Sequence, residues 1–406
     1  MSEAAWIALA DGTRLSARIW RPEGAEKVPA ILEYLPYRHR DGTWERDALT
    51  YPWFAAHGYA GVRVDLRGSG ESDGKLHDEY AHQEQDDAEE IIAWIARQPW
   101  CSGAVGMMGI SWGGFNALQV AARRPPALRA VVTVCSTDDR FVDDVHFMGG
   151  ALLTSTFGWG CALQGIIATP PDPAVVGERW RVMWRERLEA MPLFVLPWLR
   201  HQRRDAYWRH GSVCEDWGAI DCPVFAVGGW TDAYTNAIPR MLAHLRVPRQ
   251  ALIGPWAHKY PHVGVPGPEA GFLQEALSWW DRWLKGAEIP EQPMLRAWMM
   301  ESVRPAPMYA ERPGRWIAEP AWPARSVAPH RLFLTDTGLG ETIGGSAVAI
   351  CSPQHLGAVG GNWCPFGLTP DDADDQREDD ALSAVWDSAA LTERMEILGA
   401  PELELE

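Results

Sequence analysis

The sequence predicts an α/β protein: a mostly parallel β-sheet covered by helices, carrying an inserted helical cap and followed by a β-sandwich of jelly-roll type. Three observations predict it. Short apolar runs alternate with amphipathic stretches through the first 140 residues, the pattern of a sheet covered on both faces. From about 140 to 217 no strand-like run is evident. After about 290, prolines and glycines punctuate short extended runs, as in antiparallel sandwiches. With 406 residues, the chain has room for two or three domains.

The elements follow in order. "AILEYLP" (30–36), "YAGVRVD" (59–65), "AVGMMGI" (104–110) and "LRAVVTV" (128–134) are short, apolar and bounded by Gly, Pro or charge, and read as buried strands. "DAEEIIAWIARQ" (87–98) has apolar residues at helical spacing and acids in its first turn. "GGFNALQVAARR" (113–124) reads as a second helix. The segment 141–217, including "GERWRVMWRERLEAM", reads as helical or irregular and is expected to be a cap over the sheet. Alternation then resumes with strands at 222–230 and 250–256 and a helix at 274–286 closed by Gly286. The catalytic domain is therefore expected at 1–140 and 218–288, and the sandwich at 289–406. Its extended runs are "MLRAWMM", "HRLFLT" and "AVAICS". The acidic stretch "PDDADDQREDD" (370–380) reads as a solvated connection.

Composition excludes several partners. A formal charge of −17 argues against nucleic acid and against an anionic membrane, since both attract a basic face. No apolar run is long enough to cross a bilayer. The first twenty residues carry no secretory pattern. Seven cysteines at wide spacing, without a CxxC pair, read as reduced thiols. A cytoplasmic location is expected, without a metal or organic cofactor. The 23 tryptophans suit core packing first and an aromatic-lined pocket second.

The chemistry centres on "GMMGISWGGFNAL" (106–118). A Gly-x-Ser-x-Gly turn between a strand and a helix exposes the serine oxygen above the sheet, which makes Ser111 a candidate nucleophile. In such a sheet the acid and base follow in the order Ser, Asp, His, at the carboxyl ends of strands. Asp232 in "WTDAYTN" and His258 in "AHKYPH" take those places. The competitors fit less well. Asp221 precedes its strand, His244 falls in a helix, and His262 lies beyond the strand end.

Five ordered blocks, "LPYRHRDGT" (35–43), "VDLRGSGESDG" (64–74), "QPWCSGAVGMMGISWGG" (98–114), "GGWTDAYTN" (228–236) and "GPWAH" (254–258), resemble the cocaine esterase and X-prolyl dipeptidyl peptidase type of α/β-hydrolase. The resemblance continues through "RHQRRDAYWRHGS" (200–212) and into the C-terminal "DDQREDDALSAVWDSAALTERMEILGAPELELE". It implies a serine hydrolase of an ester or amide bond, with Ser111 as nucleophile, Asp232 as orienting acid and His258 as base. It also implies an oxyanion hole made by the Tyr37 hydroxyl and the Trp112 backbone N–H. Read without the resemblance, Tyr37 would be a packing tyrosine. Asp65, Arg67 and Asp87 read as loop-holding residues. The expected partner is a small ester or amide. An X-prolyl peptidase or acylase is the alternative enzyme, and a catalytically silent binding protein is the alternative of another class.

Two departures stand out. Members that act on α-amino acyl substrates carry a carboxylate three residues after the serine, where this chain has Gly114. The family's sandwich also normally continues past "GAPELELE". Residues 402–406 alternate as a half-buried strand does, with Leu403 and Leu405 on one face and Glu402, Glu404 and Glu406 on the other. The sandwich is therefore expected to be incomplete. A homo-oligomer or a complementing C-terminal polypeptide is then expected to cover its open edge.

Overall fold

The computed structural model describes residues 1–24, 26–360, 362–373 and 375–405. Its N-terminal part runs β1 (Ser2–Ala8), β2 (Arg14–Trp20), β3 (Val28–Leu35), α1 (Trp44–Ala56), β4 (Ala60–Asp65), α2 (His82–Ala96), β5 (Cys101–Ile110), α3 (Trp112–Arg123) and β6 (Leu128–Val134). A small hairpin follows, β7 (Phe147–Met148) and β8 (Ala151–Leu152). The helices α4 (Ser155–Ala168), α5 (Pro173–Val176), α6 (Trp180–Ala190), α7 (Val195–Arg200) and α8 (Ala206–Arg209) come next. The chain returns through β9 (Val224–Gly229), α9 (Ala237–His244), β10 (Arg249–Gly254), α10 (Phe272–Leu284), β11 (Leu295–Met300) and β12 (Gly314–Glu319).

Ten strands form one sheet in the order β1-β2-β4-β3-β5-β6-β9-β10-β11-β12. From β4 to β11 every neighbouring pair is parallel, and β1, β2 and β12 are antiparallel additions at the edges. The apolar runs are continuous because both faces are covered. Ile31 and Val132 face one core with Tyr51 and Phe54 of α1 and Trp280 of α10. Leu32 and Val131 face the other with Ile91 and Ile95 of α2 and Phe115 of α3. Alternate residues of one strand thus enter opposite cores, as the two-residue strand period requires.

The sequence runs and the observed strands agree to within a few residues across this sheet. Several elements were not anticipated: the β1–β2 hairpin, which turns at Asp11-Gly12, α1, which runs through Pro52, the edge strand β12, and the short β7–β8 hairpin in a segment expected to hold no strand. The segment 141–217, expected to be helical or irregular, holds the helices α4 to α8.

The C-terminal part differs in its particulars. "MLRAWMM", expected in the sandwich, supplies β11, which adds to the main sheet beside β10. "HRLFLT" supplies β13 (Phe333–Thr335), paired with β14 (Gly338–Gly340). Among the described residues "AVAICS" and residues 402–405 pair with no strand, and Val348, Ile350, Leu403 and Leu405 are exposed. Glu406 lies outside the described residues. The acidic stretch holds the short helix α11 (Arg377–Asp380). It is not wholly solvated: Asp371, Asp372 and Asp379 are buried. Among the described residues no helix is long and apolar enough to cross a membrane.

Candidate active site

Ser111 lies between β5 and α3, with φ 56° and ψ −124°. A non-glycine residue rarely adopts this conformation, and holding it costs on the order of 1–3 kcal/mol. The sequence makes it attainable. A Cβ on Gly109 would lie 2.5 Å from Gly113 Cα, so the turn closes only with glycine there. Ser111 N–H donates to Val134 O at 2.9 Å, and Ser111 O accepts from Gly114 and Phe115 N–H at 2.8 and 2.9 Å. Trp112 opens α3, where an N–H has no intrahelical acceptor. Its indole is fully buried and donates to Glu84 Oε1 at 2.5 Å. Burial pushes the Glu84 carboxyl up to about 8, against the hydrogen bond from the Trp112 indole.

Asp232 and His258 follow β9 and β10, whose carboxyl ends are clasped together. Trp230 N–H donates to Gly254 O at 2.9 Å and Thr231 N–H to Trp256 O at 3.2 Å. Asp232 is buried, and its Oδ1 lies 2.7 Å from His258 Nδ1. With the proton on Nδ1, that bond leaves Nε2 unprotonated and able to accept. Cys135 Sγ lies close to both groups. The competitors are occupied elsewhere. His262 stacks on Phe272 with centroids 5.8 Å apart, and burial lowers its pKa. His244 stacks on Trp217. Asp221 is an exposed neighbour of Arg124.

Tyr37 follows β3. Burial holds its hydroxyl above the usual range, Glu79 adds to this, and a hydrogen bond with the Ser111 side chain opposes it. Its ring packs edge-on against Trp112 and against Trp159 of α4, with centroids 6.3 and 6.4 Å away. α4 therefore sets an aromatic ring, Trp159, against both Tyr37 and Trp112. Asp65 fixes the loop after Tyr37 by accepting His39 N–H at 2.9 Å. Arg67 grips Asp87 with two bonds of 2.9 and 2.7 Å. All three loop-holding expectations have a physical basis.

The sequence reading missed a buried polar cluster at the root of the cap. Glu79 accepts from Arg140 at 3.1 Å and from Trp159 Nε1 at 3.1 Å, and pairs with His146 Nε2 at 2.7 Å. Burial pushes the neighbouring Asp144 up to about 7. The signal available was the run "DDRFVDDVH" (138–146), unusually charged for a connection leaving a buried strand. Glu79, Asp144 and His146 lie close enough together to hold an ion, as do His39, Asp65 and Glu71. Each set already has an arginine beside it, Arg140 and Arg63 respectively, so the cationic place is taken.

Gly114 has a steric explanation. A Cβ there would lie 2.9 Å from Val134 O and 3.0 Å from the Ser136 side chain. A carboxylate at this position would have to displace the end of β6.

Residues 11–260 match the family model described as X-Pro dipeptidyl-peptidase (S15 family). The chain belongs to this family. Residues 288–406 match the X-Pro dipeptidyl-peptidase C-terminal non-catalytic domain. The cocaine esterase of Rhodococcus sp. (strain MB1 Bresler) is 26% identical over 374 residues, covering 83% of this chain and 62% of that protein. This chain thus spans about three-fifths of that relative's length. Among solved structures, a CocE/NonD family hydrolase from Staphylococcus aureus superposes with a TM-score of 0.66 at 19% identity, over 84% of this chain and 60% of that one. An α-amino acid ester hydrolase superposes with a TM-score of 0.62 at 20% identity, over 84% and 62%. The shared fold is that of the α/β-hydrolases.

Proposed function

We propose that this chain is a serine hydrolase that cleaves a small ester through an acyl-enzyme. The observation that carries the proposal is the strained elbow at Ser111 after the carboxyl end of β5, with the Asp232–His258 pair after the carboxyl ends of β9 and β10. Ser111 Oγ attacks the carbonyl carbon while His258 Nε2 takes its proton. Asp232 holds the imidazole and stabilises the imidazolium. The Tyr37 hydroxyl and the Trp112 N–H donate to the oxyanion, which is where preorganised donors contribute most. His258 then returns the proton to the leaving alkoxide. Water, deprotonated by the same imidazole, releases the acid. The Glu84 bond holds the Trp112 ring, and through it the first turn of α3.

The family also includes enzymes named for peptide cleavage, so an X-prolyl amide is the second reading. The closed space around Gly114 favours the ester, because it removes one place for an amine-binding carboxylate. A fluorophosphonate probe tests the mechanism. Ser111 is expected to be labelled and the Ser111→Ala protein is not. Folded wild-type protein that resists labelling would refute the reading. A panel of short-chain nitrophenyl esters against X-Pro anilides decides the substrate class.

A further inference from the structure

Asp371 lies in the acidic stretch that reads as a solvated connection, yet it is 6% exposed. Its backbone N–H, like that of Asp372, donates to Pro307 O, at 3.1 and 3.0 Å. Its carboxylate turns back along the chain. Oδ1 accepts from Asn362 Nδ2 at 2.6 Å, and Oδ2 accepts from the backbone N–H groups of Phe366 and Leu368, the latter at 3.2 Å. Three donors on one carboxylate close residues 362–371 into a loop. Gly367 lets that loop sit down, since its φ is +77° and a Cβ there would lie 3.1 Å from both Val265 Cβ and Val265 O.

The closed loop rests on the acid–base pair. Pro365 O accepts His258 N–H at 3.1 Å. The Phe366 ring meets the imidazole edge-on, with centroids 5.4 Å apart and planes at 82°. Trp363 packs edge-on against Tyr234, two residues after Asp232. The Asp232 bond anchors one corner of the imidazole. It does not fix the backbone that carries the ring or the tilt of the ring about that bond. The loop supplies both restraints. A general base must be held within about 0.5 Å and 10–20° of its productive pose, and a displacement of about 1 Å can cost about a hundredfold in rate.

We propose that Asp371 is a positioning residue for hydrolysis: its carboxylate shapes the 362–368 loop whose Pro365 carbonyl and Phe366 ring seat His258. The proposal rests on His258 being the base. It gives the C-terminal part of the chain a direct mechanical share in the catalytic machinery, without contact between Asp371 and the substrate.

The test uses the full chain with Asp371→Ala, Asp371→Asn and Gly367→Ala. Asp371→Ala should lower kcat for a nitrophenyl ester by about ten- to a hundredfold, with KM within about twofold. Asp371→Asn keeps one acceptor oxygen and should recover part of the loss. Gly367→Ala reaches the same loop by another route and should reproduce the kcat defect, which covers the case in which Asp371→Ala does not fold. The downfield Nδ1–H proton resonance of His258 reads the seat without turnover. It should shift or broaden in Asp371→Ala and Gly367→Ala, and stay in place in a control such as Leu403→Ser. An unchanged resonance and unchanged kcat in folded variants would overturn the proposal. A wild-type protein with no esterase activity would overturn the functional reading instead, and the resonance would still decide whether Asp371 seats His258.

Discussion

Replacing Glu84 with glutamine should make the protein more stable at alkaline pH and leave it nearly unchanged in mild acid. Glu84 is buried under the elbow with its Oε1 on the Trp112 indole. Among the described residues its Oε2 has no hydrogen-bond partner, and neither has Asn116 Oδ1. Asn116 is a side-chain neighbour of Glu84, so a proton on the carboxyl can join two acceptors that would otherwise be unsatisfied. Burial raises this carboxyl from 4.5 to about 8. The sign follows from that direction. Below about 4.5 both the folded and unfolded chains hold the proton, and stability is unaffected. Between about 4.5 and 8 the unfolded chain releases it while the folded chain keeps it, so stability falls as pH rises. Above about 8 the folded protein bears the full cost of a buried carboxylate. At about 1.36 kcal/mol per pH unit, the rise corresponds to about 5 kcal/mol, an order-of-magnitude figure. Glutamine keeps the carbonyl oxygen for Trp112, offers an N–H to Asn116 and cannot ionise. Urea unfolding of both proteins at pH 5 and pH 9 measures the effect. The stability difference should be within about 1 kcal/mol at pH 5 and grow by several kcal/mol in favour of Glu84→Gln at pH 9. An equal difference at the two pH values would refute the argument.

The remaining predictions concern the reaction. Tyr37→Phe keeps the ring against Trp159 and removes one donor, so kcat should fall by about 10² to 10³ with little change in KM; steady-state kinetics on a nitrophenyl ester checks it, and normal turnover would make Tyr37 a packing residue. His258→Ala should abolish turnover, with a loss on the order of 10⁴ to 10⁶. His262→Ala should cost stability through its lost stack on Phe272 and leave the chemical step intact. Parallel kinetics and thermal melts of the two variants separate those outcomes.

What was legible in the sequence was the part with a local cause. The strands of the central sheet are apolar along their whole length because two cores cover them, and the elbow announces itself through glycines that must touch. The Asp11-Gly12 pair carries a local hairpin signal although the hairpin was not anticipated, and in the turn Asp11 accepts the Thr13 N–H at 2.8 Å. Pro52 is the opposite case: proline disfavours a helix interior, yet α1 continues through it. Charges within buried elements were harder. Glu33 sits in β3 opposite Arg63 of β4, and Arg63 reaches Asp47 at 3.1 Å. Each residue looks like a surface residue until the register brings its counter-ion beside it. The same holds for Glu79 and Arg140, 61 residues apart in sequence, and for "MLRAWMM", whose β-pattern cannot say which sheet it joins.

The two halves of the candidate site differ in the same way mechanically. The Ser111 half is set by its immediate neighbours. Its strained φ is fixed by the bond to Val134, by the Gly109–Gly113 contact and by Asn116 Nδ2 on Tyr34 O at 2.8 Å, all within the packed sheet and its adjoining helix. Strain of this kind persists only where the surroundings over-determine it. The His258 half begins at a strand end but continues into a loop, and a loop needs an external seat. That seat comes from residues 362–368, more than a hundred positions away. No spacing rule connects "GPWAH" to "NWCPFGL", because the link exists only once Asp371 has folded the second stretch. The position of the proposed nucleophile is therefore set within the packed sheet and its adjoining helix, whereas that of the proposed base depends on a part of the chain whose family description is non-catalytic.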